Sequence, residues 1–104
     1  MIWSIRERRA FEQLVRRGSR VRTTTLWCTY SLDPAADPPR VAFSIGRAVG
    51  SAVVRNRVRR RLRAIVTTLA LPAGWWLIGV GPTVRKHTFE TLRGEVRLLL
   101  EQAR

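Results

Sequence analysis

Six arginines fall within the nine residues from Arg55 to Arg63, separated only by Asn56, Val58 and Leu62. Each guanidinium is a flat fork of donors that fits phosphate oxygens and stacks on planar rings. A solvated helix face of this kind normally interleaves acids for pairing at four-residue spacing. Here no Asp or Glu occurs between Asp37 and Glu90. The segment therefore reads as a row of cations kept for an outside polyanion. Asn56 can add a donor and an acceptor for a base edge or a ribose hydroxyl.

Other chemistry is thin. Cys28 is the only cysteine and His87 the only histidine, so neither an intrachain disulfide nor a Cys/His metal cluster can be built. The seven acids are Glu7, Glu12, Asp33, Asp37, Glu90, Glu95 and Glu101. None lies near the arginine run in sequence, so a self-sufficient nuclease finds no carboxylate pair or histidine-based acid–base set. Twenty Lys and Arg against seven Asp and Glu leave a net charge of +13. Lys86 is the single lysine among those twenty cations, so recognition rests on guanidinium forks. Such self-repulsion disfavours the compact state unless a partner neutralises it, which points to nucleic acid.

The elements that must position these residues are legible. With 104 residues and 45% hydrophobic content the chain makes one domain with a small core. Ser4 and Glu7 have capping-box spacing, predicting a first helix that runs to about Arg17 and stops at Gly18. Phe11, Leu14 and Val15 share one side of it. Ser19 to Leu32 reads as extended, with Leu26, Cys28, Tyr30 and Leu32 pointing one way and Trp27 and Thr29 the other. Asp33 to Pro39 holds three prolines and reads as a loop. Arg40 to Ile45 alternates as a strand.

A long helix is predicted from Ser51 to Ala70, ended by Pro72 and Gly74. Val54, Val58, Leu62, Ile65, Val66 and Leu69 form its apolar stripe. At about 100° per residue, Arg55, Asn56, Arg59, Arg60 and Arg63 share a broad face beside that stripe, with Arg57 and Arg61 on the other flank. Trp75 to Val80 is a short buried strand, in which Trp75 and Trp76 read as packing, and Gly81-Pro82 a turn. A last helix spans Thr88 to Gln102 with Phe89, Leu92, Val96 and Leu99 inward. Cys28 reads as a buried small apolar side chain and His87 as a surface residue. The class is α+β, in the order α-β-β-β-α-β-α.

A basic amphipathic helix can also lie on an anionic membrane, but a domain this small needs the stripe for its core. No apolar run is long enough to span a bilayer, and Met1 to Ile5 meets Arg6 without a signal-peptide stretch. The expectation is a soluble cytoplasmic protein.

The segment Phe43-Ser44-Ile45-Gly46-Arg47-Ala48-Val49-Gly50-Ser51-Ala52-Val53-Val54, followed by the Arg55 to Arg63 run, resembles the signature of the bacterial ribonuclease P protein. The similarity extends over nearly the whole chain, from the helix ending at Gly18 to the final amphipathic helix. The resemblance implies a sandwich similar to domain 2 of ribosomal protein S5, with a left-handed strand–helix–strand crossover against the usual rule. It implies that Arg47, Arg55, Asn56, Arg57, Arg59, Arg60 and Arg63 contact the ribonuclease P RNA. It further implies a cleft for the single-stranded 5′ leader of precursor tRNA, lined by Phe11, Val15, Cys28, Tyr30 and Ser44. By residue type alone, Phe11 and Tyr30 fit core packing as readily as base stacking.

On that resemblance the protein binds no DNA, no membrane and no cofactor of its own. The RNA subunit holds the Mg²⁺ ions and carries out hydrolysis, and the protein alone does not cleave. A structural rRNA-binding protein of the same fold is the alternative. Val15 stands where many members have an aromatic residue, Ala48 and Gly81 where basic residues are common, and Gly46 where Ser is common.

Overall fold

A computed structural model describes residues 1–103. Its elements run β1 (Trp3–Ser4), α1 (Arg8–Arg17), β2 (Ser19–Arg22), β3 (Leu26–Leu32), β4 (Arg40–Ser44), α2 (Ala52–Thr68), β5 (Gly74–Val80) and α3 (Phe89–Gln102). Short 3₁₀ turns occupy Arg47–Val49 and Pro82–Lys86. Apart from β1, this is the order that the sequence predicts. The strands form one mixed sheet in the order β1-β4-β5-β3-β2. β1 and β5 flank β4 in parallel, while β3 runs antiparallel to both β5 and β2. The parallel neighbours β4 and β5 are joined through α2.

Strand alternation gives the sheet two different faces. One carries the cross-strand rows Val41–Trp76–Tyr30 and Phe43–Ile78–Cys28. Val58, Leu62, Ile65 and Val66 of α2 and Leu92, Val96 and Leu99 of α3 join this face in a single core cluster. Trp76 is buried there, stacked on Tyr30 at 5.2 Å, and its indole N–H donates to the Pro72 carbonyl at 3.0 Å. The opposite face carries the row Ala42–Leu77–Thr29 and is covered by α1, which buries Leu14.

Local chemistry explains the ends of α2. Ser51 caps it, its hydroxyl accepting from the Val54 amide at 3.4 Å. Gly50 precedes the cap at φ 150, a backbone geometry that disfavours other residues. Beyond the helix Ala70 adopts φ 53, and Pro72 prevents continuation.

Four expectations are corrected, and a fifth, the stop of α1 at Gly18, holds for a different reason. Ser4 and Glu7 form no capping box: Ser4 pairs with Val41 in β1, and α1 starts after Glu7 without a side-chain cap. Strand pairing to distant residues outcompetes the local cap. Gly18 ends α1 at an ordinary φ of −68. Its missing side chain matters for space instead, since a Cβ there would collide with the Leu14 carbonyl and the Thr29 methyl. Leu32 emerges from the sheet end exposed rather than in the core. Phe89, in the first turn of α3, is also exposed, because the helix starts beyond the core's edge. His87 is half-buried, its Nε2 lying 2.9 Å from the Thr25 hydroxyl. Tertiary packing draws His87 towards the 23–25 turn, where Glu95 accepts from the Thr23 hydroxyl and the Thr25 amide.

Candidate nucleic-acid interface

The amphipathic division of α2 sets out the cations. Val58 and Leu62 are 4% and 0% exposed, which fixes the helix against the sheet. Val54 is half-buried and packs on the same cluster. Asn56, Arg57, Arg60 and Arg63 are exposed, and Arg55, Arg59 and Arg61 are partly so. Arg47 stands exposed on the 3₁₀ turn before the helix.

Among the described residues no carboxylate pairs with this face. Among the described residues the only salt bridge is Arg8–Glu12 on α1, at 3.0 Å. The first turn of α2 carries no acid, so the positive end of its dipole adds to the arginines. Asn56 accepts from Arg59 Nη1 at 2.9 Å, which restricts that guanidinium to one orientation. Arg63 lies 6.0 Å from the Phe43 ring, a loose cation–π contact that steadies the far end of the row. The Nε of Arg55 is buried with no hydrogen-bond partner, a donor that the protein itself leaves unused.

Arg57 and Arg61, on the other flank, border a hollow shared with Arg85, Lys86 and Phe89. The basic surface thus continues from α2 onto the 82–86 turn. Nothing local in the sequence ties Arg85 and Lys86 to α2, so their place beside it emerges only from the fold.

A second surface lies between α1 and the sheet, where a groove of about 480 Å³ is bordered by Val15, Arg20, Arg22, Trp27, Thr29 and Leu77. Of the residues expected there, Val15 borders it and is 39% exposed. Phe11, 37% exposed, lies one helical turn away on α1. Ser44 is exposed at the end of β4. Tyr30 does not reach the groove: it is 6% exposed, and its ring lies on Trp76 on the sheet's opposite face. Cys28 touches the groove's edge but is buried in the core cluster, and burial pushes its thiol pKa up to about 12. The reason is parity. Residues 28 and 30 share the face of Leu26, whereas 27 and 29 point to α1. Trp27 and Thr29 are therefore the residues of β3 that border the groove; strand alternation separates them from Cys28 and Tyr30, and the packing of α1 decides which set faces it.

Among the described residues no group of three His, Cys, Asp or Glu side chains converges to hold a metal. No helix of the described chain is long and apolar enough to cross a membrane. What the surface can do is bind: a fixed row of forks for phosphates, and beside the sheet a groove with one indole wall and two arginines.

Comparison with known proteins bears on what is bound. The family model for Ribonuclease P matches residues 3–104. The ribonuclease P protein component of Clavibacter michiganensis subsp. michiganensis is 37% identical over 93 residues, covering 86% of this chain and 82% of the relative. That of Beutenbergia cavernae is 47% identical over 56 residues, which is 54% of this chain and 47% of the relative, so this match spans under half of that protein. The solved structure of the Staphylococcus aureus RNase P protein superimposes with a TM-score of 0.88 at 17% identity, covering 98% of this chain and 95% of that one. This last likeness concerns the fold.

Proposed function

The chain belongs to the bacterial ribonuclease P protein family, and on that premise we propose that it serves as the protein subunit of the enzyme that removes 5′ leaders from precursor tRNA. The observation that carries the reading is the unneutralised arginine face of α2, held rigid by Val58 and Leu62 beneath it. Arg47, Arg55, Asn56, Arg57, Arg59, Arg60 and Arg63 bind the RNA subunit through phosphates and ribose hydroxyls. The groove beside α1 receives the unpaired leader, with Val15 and Trp27 offering apolar contact and Arg20 and Arg22 meeting its phosphates. In the same reading the β4–α2–β5 crossover is left-handed, as in domain 2 of ribosomal protein S5.

The chemistry belongs to the RNA. In this reading the RNA subunit holds the Mg²⁺ ions that activate the attacking water; among the described residues no three His, Cys, Asp or Glu side chains converge. The protein's work is electrostatic: it offsets phosphate repulsion between the catalytic RNA and its substrate. The place of action is the cytoplasm, and neither DNA nor a membrane is a partner.

Reconstitution tests this. The purified protein alone should leave precursor tRNA intact, and with the cognate RNA subunit it should permit cleavage at lower Mg²⁺ than the RNA needs by itself. Unchanged Mg²⁺ demand and unchanged substrate affinity would favour a ribosomal rRNA-binding role. Cleavage by RNA-free protein would favour a nuclease.

A further inference from the structure

Three residues far apart in sequence form one row across the β1 edge of the sheet. Trp3 is the register partner of Arg40, and Arg40 that of Trp75. The guanidinium carbon of Arg40 sits 4.4 Å from the Trp3 ring centroid and 5.9 Å from that of Trp75. Both inner members are tethered. Arg40 Nη1 donates to the Pro38 carbonyl, and the Trp75 indole N–H donates to Asp33 at 3.4 Å. Yet Trp3 remains 51% exposed. An indole needed only to clasp β1 would be expected to bury itself, whereas this one is backed by a cation and left open.

A hollow of about 590 Å³ adjoins the row, and Arg6 of the β1–α1 link and Arg63 of α2 both border it. Arg63 ties the hollow to the proposed RNA face. Glu7 is the one carboxylate of the lining. It repels phosphate but can accept an N–H from the edge of a base.

We propose that the Trp3–Arg40–Trp75 row is a stacking platform for an unpaired RNA nucleobase, with Arg6 and Arg63 receiving its flanking phosphates. This rests on the RNA-binding reading above and extends it to a site away from the groove beside α1. Every base has a π-face, so the platform selects unpaired bases with little regard to sequence. The cation behind the indole strengthens the site by pairing stacking with positive charge. The base can come from the RNA subunit or from precursor tRNA.

The test uses the full chain with Trp3→Phe and Trp3→Leu. Phe keeps a smaller aromatic face, whereas Leu keeps apolar bulk without one. One arm measures affinity for the ribonuclease P RNA; the other measures affinity of the reconstituted holoenzyme for precursor tRNA. Trp3→Leu should weaken one arm roughly tenfold and Trp3→Phe much less, and the affected arm identifies the source of the base. Equal affinity of all three proteins in both arms would overturn the platform. So would an equal loss in both variants, since the residue would then be a clamp for β1. A wild-type dimer in sedimentation that Trp3→Leu dissolves, with RNA affinity unchanged, would assign the surface to a second copy and overturn the proposal as well. Arg55→Ala with Arg59→Ala separates the two readings. Loss of affinity there with no Trp3 effect removes the platform alone, whereas a wild-type protein that binds neither RNA removes both.

Discussion

Trp27 and Gly79 are direct cross-strand partners between β3 and β5, and the indole of Trp27 occupies the space where a side chain at 79 would stand. This close approach places the indole over Gly79, where it forms a wall of the groove beside α1. Gly79→Ala should therefore expel the ring and destabilise the protein by about 1–3 kcal/mol, the usual cost of overpacking. Urea unfolding measures it. In Trp27→Ala, where the space is free, the same glycine substitution should cost far less; equal costs in both backgrounds would contradict the packing described.

The arginine row carries a salt signature. Arg55→Ala, Arg59→Ala and Arg63→Ala together should weaken RNA binding and reduce the slope of log affinity against log salt by roughly one unit per lost phosphate contact. Binding titrations at several salt concentrations provide the check. A weaker complex with an unaltered slope would mean that these side chains do not meet phosphates.

Asn56 and Arg59 are linked by a hydrogen bond of 2.9 Å on an exposed face. Asn56→Ala should leave folding stability within about 0.5 kcal/mol, as is usual for surface changes. RNA affinity should nevertheless fall, because Arg59 loses its fixed orientation. If Arg59→Ala then cost as much in the Asn56→Ala background as in the wild type, the two residues would be acting independently.

Leu62 is fully buried beneath the arginines. Leu62→Ala should destabilise the fold by about 2–5 kcal/mol through loss of burial and a residual cavity. Val53, exposed on the same helix, should tolerate Ala within about 0.5 kcal/mol. Thermal or urea denaturation distinguishes them, and similar costs would mean that the helix packs through another face.

Cys28 titrates abnormally because burial raises its thiol from the ordinary 9.0 to about 12. Between these values the unfolded chain has lost a proton that the native state retains, so this group makes stability fall as pH rises. Below pH 9 it contributes no slope. The limiting slope for a single proton is about 1.4 kcal/mol per pH unit. Unfolding measured from pH 8 to 11 should show a shallower decline for Cys28→Ala than for the wild type; parallel curves would remove burial of the thiol as the cause.

The sequence by itself determined α2 and its division of labour. A period of 3.6 among Val54, Val58, Leu62, Ile65 and Val66 needs no knowledge of the partner surface, because any helix with that stripe must bury it. The absence of acids around it likewise made the basic face legible, and the three prolines between β3 and β4 marked the loop there. The order of the three main helices and four longer strands followed from the same local signals.

Tertiary structure alone decided which side of the sheet each strand residue serves. Alternation says that Cys28 and Tyr30 oppose Trp27 and Thr29, but not which set meets α1 and which meets α2 and α3. That choice is made by the packing of helices distant in sequence, and it turned Tyr30 into core and Trp27 into groove wall. The Trp3–Arg40–Trp75 row was invisible for a related reason: a two-residue strand has no period, and its pairing with β4 exists only once the chain has folded back on itself.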